Sequence, residues 1–99
     1  MKRYLGERTI DGIAVTVDGA ALDPRLDLKS LSPEGFEWTY EGAGPAQLAL
    51  ALLADHLADD QRAIALHDAF MRAAVANFEN DWEMTGTDID AVLAAIEPA

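Results

Sequence analysis

The sequence predicts a small α+β domain in which an antiparallel sheet of three to four strands packs against two to three helices. Three observations support this prediction. Alternating apolar runs flank a turn dipeptide, a leucine- and alanine-rich run follows a glycine–proline break, and the element types follow the order β-β-β-α-α-β-α. The chain has 99 residues, which is enough for one hydrophobic core, so a single domain over residues 1–99 is expected.

The first predicted element is a β-hairpin. The dipeptide Asp11-Gly12 suits a two-residue turn because both residue types tolerate positive φ. After the turn, Ile13, Val15 and Val17 alternate with small or polar residues, which is typical of a strand with one buried face.

A third strand is predicted from Phe36 to Glu41. Its three aromatic residues alternate with polar ones, so Phe36, Trp38 and Tyr40 are expected to face the core. Such alternation is typical of a half-buried strand.

Helices dominate the remainder of the chain. The first is expected to be the most buried, since leucines and alanines cover most of its circumference, and proline suits its first turn. The predicted elements are a helix from Pro45 to Ala58, a helix from Gln61 to Phe78 capped by Asp59-Asp60, a short strand within Asn80 to Met84, and a helix from Asp88 to Ile96 capped by Thr87.

The stretch from Ser32 to Ala51 resembles a family of short, uncharacterised bacterial and phage proteins. It reads S-P-E-G-F-E-W-T-Y-E-G-A-G-P-A-Q-L-A-L-A and fits the pattern S-P-x-G-F-x-W-x-Y-x-G-x-G-P-A-Q-L-A-L-A. The family often has glycine at the position of Thr39 and serine at that of Ala43, so this chain is a divergent member. The resemblance implies a link to mobile genetic elements, and it implies no catalytic residues.

The charge of the chain is strongly negative and unevenly distributed. Eighteen acidic residues against seven basic ones give a formal net charge of −11. From residue 30 onward only Arg62 and Arg72 are basic. Such a molecule is repelled by nucleic acid and by anionic lipid, whereas a basic protein surface attracts it. Solubility alone is the competing explanation for an acidic surface.

We therefore expect a non-enzymatic acidic protein that mimics nucleic acid and occupies a basic groove on a host nucleic-acid-binding protein. The resemblance to phage proteins suggests an anti-CRISPR or other anti-defence inhibitor. Neither a cofactor nor a metal is expected. The predicted partner-binding carboxylates are Glu34, Glu37, Glu41, Asp55, Asp59, Asp60, Glu79, Asp81, Glu83, Asp88 and Asp90.

Two other functions remain open at this point. The chain could be a structural or regulatory accessory domain that forms a homodimer through the helix from Pro45 to Ala58. It could instead bind a small molecule at the strand-to-helix turn from Gly42 to Gln47, although that turn lacks both the GxGxxG spacing and a P-loop lysine.

Catalytic and metal sites have little support in the sequence. The chain has no cysteine, and its two histidines, His56 and His67, match no zinc-binding spacing. Its longest wholly apolar run, from Leu48 to Ala54, is far shorter than the roughly 20 residues that span a bilayer. The polar amino terminus does not look like a signal peptide, so a cytoplasmic location is expected.

Overall fold

A computed structural model describes residues 2–97 and confirms the α+β class. The sheet is antiparallel with the strand order β3-β2-β1-β4. Its strands are β1 (Arg3–Thr9), β2 (Gly12–Val17), β3 (Ala20–Ala21) and β4 (Trp82–Thr85). The helices are α1 (Ala43–Leu57), α2 (Asp60–Ala73) and α3 (Gly86–Ile96), and a short 3-10 turn covers Val75–Asn77.

The predicted hairpin is confirmed, with its turn one residue earlier than expected. Thr9 pairs with Gly12, so the two loop residues are Ile10 and Asp11. Gly12 has a φ of 119°, a conformation that glycine adopts without steric cost. The short β3, which the sequence analysis did not predict, pairs with the far end of β2.

One face of the sheet packs on the helices. Tyr4, Val15, Trp82 and Met84 are buried on this face. The indole of Trp82 lies over Gly6, its cross-strand partner, where any Cβ would overlap the ring. Glycine at this position therefore lets the largest side chain of β4 pack flat on β1.

Helix α1 is the centre of the core, as predicted. Every residue from Gly44 to Ala54 is buried. The helix begins at Ala43 rather than at Pro45, so the proline lies within the first turn, where its missing N–H costs no helical hydrogen bond. It ends at Leu57, and Ala58 follows in the left-handed conformation that often ends helices.

Helix α2 is shorter than predicted. Asp59 caps its start by accepting a hydrogen bond from the Arg62 amide at 3.1 Å. The helix ends at Ala73 instead of Phe78, because the chain leaves helical geometry at Ala74. The Val75 carbonyl then accepts a hydrogen bond from a distant loop amide, so tertiary contacts replace the helical ones there.

The cap of α3 is Thr85, not Thr87 as predicted. The Thr85 hydroxyl accepts from the Asp88 amide at 3.2 Å, and the Asp88 carboxylate accepts from the Thr85 amide at 2.9 Å. This reciprocal capping box starts the helix at Gly86, directly after the predicted short strand, which the structure confirms as β4.

The predicted third strand from Phe36 to Glu41 is wrong. The segment is irregular, and although Trp38 is fully buried, Tyr40 is 50% exposed. Thr39 has a φ of 81°, which breaks the alternation of an extended strand. A glycine at position 39 would adopt this backbone conformation without strain.

The buried side chain of Gln47 holds the irregular segment of residues 22–42 against α1. Its Oε1 accepts from the amides of Leu31 (2.7 Å) and Ser32 (3.0 Å). Its Nε2 donates to the carbonyls of Pro24 (2.6 Å) and Lys29 (3.1 Å). One amide thus supplies the backbone partners that a sheet would otherwise provide.

Candidate functional site

The basic side chains of the chain are largely occupied by carboxylates. The ion pairs are Lys2–Asp55, Arg3–Glu83, Arg8–Glu37, Arg25 with Asp27 and Asp60, Arg62–Glu97, and Arg72 with Glu41 and Asp68. Lys29 has no ion pair within residues 2–97. The acidic excess consequently comes from side chains that no cation neutralises.

The carboxylates outside these pairs are of three kinds. Asp90 bonds His56 at 2.6 Å. Several accept hydrogen bonds from backbone amides, namely Asp18, Asp23, Asp59, Asp81 and Asp88. The others have no hydrogen-bond or ionic partner in residues 2–97, and they are Glu7, Asp11, Glu34 and Glu79. These four exposed side chains are free to meet a partner at no structural cost.

The first predicted group, Glu34, Glu37 and Glu41, lies in and beside a groove of about 560 Å³ between the hairpin and the start of α1. Glu34 and Glu37 line this groove together with Ile13, Phe36, Tyr40 and Gly44. Glu41 follows Tyr40 in the chain and lies 4.0 Å from Arg72.

Glu37 is the most constrained member of that group. Its carboxylate is 2.7 Å from the Arg8 guanidinium, and this contact lowers the pKa of Glu37 and raises that of Arg8. The same guanidinium stacks on the Trp38 ring at 4.7 Å and donates to the Trp38 carbonyl at 3.1 Å. This arrangement ties β1 to the irregular segment.

The second predicted group, Asp55, Asp59 and Asp60, lies where α1 turns into α2, and we call it the helix corner. Asp55 accepts from the Tyr4 hydroxyl at 2.7 Å as well as from Lys2. Burial, together with this carboxylate, raises the pKa of Tyr4. Two members of the helix corner thus have structural roles, since Asp59 also caps α2.

The third predicted group is nearest the carboxyl terminus, and the fold places its members on different elements. They are Glu79, Asp81, Glu83, Asp88 and Asp90. Glu83 is on β4 and pairs with Arg3, and Asp81 just precedes that strand and accepts from the Arg8 amide. Asp88 caps α3. Asp90 bonds His56 at 2.6 Å, which joins α3 to the end of α1. Glu79, between α2 and β4, is exposed.

The histidines have partners that account for their positions. His56 on α1 bonds Asp90 on α3, and these two residues are too far apart in the sequence for a local pattern to predict the contact. His67 is buried, and its Nδ1 lies 2.6 Å from the Ile64 carbonyl one turn earlier. Within residues 2–97 no group of three potential ligands could hold a metal ion.

The turn from Gly42 to Gln47 is packed tightly. A Cβ on Gly42 would lie 2.8 Å from the Tyr40 ring, and one on Gly44 would lie 2.7 Å from Cβ of Glu37. Gln47 itself uses its whole amide to hold the neighbouring backbone. The two glycines therefore serve the close approach of the irregular segment to α1.

Both tryptophans are buried and belong to the hydrophobic core. Trp82 stacks on Phe78 at 4.4 Å and meets the edge of Trp38 at 5.8 Å. The Trp38 indole donates to the Asn80 carbonyl at 3.1 Å, whereas the buried Trp82 indole N–H has no partner in residues 2–97.

Residues 4–95 match DUF6166, a family of unknown function, and the chain belongs to this family. No curated protein and no solved structure is significantly similar to the chain. Among residues 2–97, no helix has the length and apolar character needed to cross a membrane.

Proposed function

We propose that the protein is a non-enzymatic, acidic interaction protein that binds a basic surface of a partner protein in place of nucleic acid. The observation that supports this best is the charge balance of the folded chain. Lys2 and the five arginines are held in ion pairs with carboxylates, while Glu7, Asp11, Glu34 and Glu79 have no partner in residues 2–97 and the net charge is −11.

The physical basis of the proposal is electrostatic steering. An excess of negative charge on a domain with a Cα radius of gyration of 12.2 Å creates a field that attracts a basic groove and repels nucleic acid. Charged rims accelerate association and select partners. Within this proposal, the resemblance to phage proteins favours a host nuclease or CRISPR surveillance complex as the partner.

Homodimerisation through α1 has less support from the geometry. Residues Gly44 to Ala54 are already buried by the chain itself, so the apolar circumference that suggested a dimer is covered within one protomer.

The experiment is affinity capture from a host lysate with matched charge variants. The test variant replaces the four unpartnered carboxylates (Glu7→Gln, Asp11→Asn, Glu34→Gln, Glu79→Gln) and changes the net charge from −11 to −7. The control variant (Arg62→Gln, Glu97→Gln, Arg72→Gln, Asp68→Asn) also removes four charged groups, but its net charge stays at −11.

We expect the unaltered protein and the control to retain the same basic partner at about 50 mM salt and to release it at about 500 mM, because the Debye length falls from roughly 14 to 4 Å. The test variant should retain at least about tenfold less partner, which corresponds to about 1.4 kcal/mol of binding free energy. Equal retention by all three proteins would contradict the proposal.

A further inference from the structure

The groove between the hairpin and α1 combines exposed apolar surface with unneutralised negative charge. It has a volume of about 560 Å³ and is lined by Ile13, Phe36 and Tyr40 as well as by Glu34 and Glu37. A cleft of this size is large enough to receive one or two side chains of a partner.

Exposed apolar side chains are concentrated around this groove. The large apolar residues that are exposed in residues 2–97 are Ile10 (102%), Tyr40 (50%), Leu26 (38%) and Ile13 (37%). Ile13 and Tyr40 line the groove, and Ile10 is at the tip of the hairpin that forms one wall. Leu26 lies on a separate loop. Exposed apolar side chains that line one groove, as Ile13 and Tyr40 do, are typical of interaction surfaces.

The uncompensated charge at the groove is negative. The Arg8 guanidinium forms an ion pair with Glu37. Glu37 also packs against Gly44 in the first turn of α1. Glu34 in the wall, and Asp11 next to Ile10 in the hairpin turn, have no partner in residues 2–97. A cationic group that enters here meets the free carboxylates of Glu34 and Asp11, and no lysine or arginine lines the groove in residues 2–97.

The hairpin wall also offers an open strand edge. β3 pairs with Thr16 and Val17, so within residues 2–97 the part of β2 from Gly12 to Ala14 has a neighbouring strand on the β1 side alone. Exposed edges of this kind pair readily with an extended segment of another chain.

We infer that this groove receives an extended segment of a partner protein in which apolar side chains alternate with lysine or arginine. The apolar side chains fill the space between Ile13, Phe36 and Tyr40, and the cations meet Glu34 and Asp11. This inference rests on the proposed function and deepens it, since it names one docking surface for the basic partner.

The test titrates three synthetic heptapeptides into the isotopically labelled full chain. NMR measures the change in each backbone amide chemical shift of the protein. One peptide alternates lysine with leucine, the second replaces every leucine by serine, and the third replaces every lysine by aspartate. We expect the lysine–leucine peptide to shift amides of residues 10–13 and 34–44 and to bind at least about tenfold more tightly than either other peptide.

Matched variants inside and outside the groove test whether the peptide binds there. Ile13→Ser with Tyr40→Ser should weaken binding of the lysine–leucine peptide about tenfold, whereas Leu26→Ser, at a residue of similar exposure outside the groove, should leave it unchanged. Glu34→Lys should weaken binding more than Glu79→Lys, because both carboxylates lack partners but only Glu34 lines the groove. Circular dichroism verifies that each variant is folded.

The outcomes distinguish the inference from the proposed function. If the two lysine peptides bind equally and shift the helix corner rather than the groove, the docking surface is wrong while an acidic interaction protein remains supported. If neither lysine peptide binds and the aspartate peptide does, both proposals are overturned.

Discussion

At the residue scale, Gln47 shows how one buried side chain can replace a length of secondary structure. Its amide makes four hydrogen bonds to the backbone of residues 24–32, which has no strand or helix of its own. Without these bonds, the amides of Leu31 and Ser32 would lose their partners next to the core. Buried donors left unpaired are costly.

Replacement of Gln47 by leucine should therefore lower the free energy of unfolding by about 2 kcal/mol or more. Gln61 is an exposed glutamine on α2 and provides the matched control. Gln61→Leu should change the free energy by less than about 0.5 kcal/mol. Urea denaturation of both variants measures the difference, and equal effects would show that the Gln47 amide is dispensable.

At the element scale, the ion pair of Arg8 and Glu37 joins β1 to the irregular segment. The guanidinium holds the pKa of Glu37 below its usual range. A carboxylate with a lowered pKa stabilises the fold above the pKa it has in the unfolded chain, about 4.3. That contribution is lost as the pH falls through the pKa of the folded protein.

Glu37→Gln should consequently reduce the free energy of unfolding near neutral pH, by about 1 kcal/mol at most because the pair is partly exposed. The difference between the unaltered protein and this variant should shrink as the pH falls below about 4. Glu79→Gln, at a carboxylate without a partner, is the control and should show no such pH dependence. A difference for Glu37→Gln that stays constant down to pH 2 or so would contradict this reading of the pair.

The elements differ in how much of them the sequence predicts. The hairpin, the three helices and the strand at Trp82 are predicted because each has a local signal, such as a turn dipeptide, an apolar periodicity or a capping residue. The segment from Phe36 to Glu41 has the alternation of a strand, but Thr39 turns the chain and Arg8 holds the segment by donating to the Trp38 carbonyl. Contacts between residues far apart in the sequence produce no periodic pattern of apolar residues, so the sequence does not predict them.

The same limit applies to the candidate site. The sequence identifies Glu34 and Glu79 as available carboxylates, and the structure leaves both without partners in residues 2–97. The sequence also predicts the cap at Asp59, but it places the cap of α3 at Thr87 instead of Thr85, and it gives no sign that Asp90 meets His56. The groove was also missed, because its walls come from the hairpin and from residues some twenty positions later.

At the scale of the whole molecule, the fold brings Lys2 and the arginines next to carboxylates. The remaining carboxylates give the surface an excess of negative charge. The net charge of −11 on 99 residues disfavours contact with nucleic acid and favours a basic protein. The carboxylates that cap helices or hold Tyr4 contribute to that field, but their substitution would also perturb the fold. Only partner-free carboxylates report on binding alone.

The central claim is that this protein and nucleic acid compete for the same basic surface. The most direct measurement is the fluorescence anisotropy of a labelled DNA duplex bound to the captured partner while this protein is added at about 50 and about 500 mM salt. We predict that the protein displaces the duplex at low salt and that the variant with the four partner-free carboxylates neutralised displaces it at least about tenfold less effectively. A stable ternary complex with the duplex still bound, at either salt concentration, would contradict the claim.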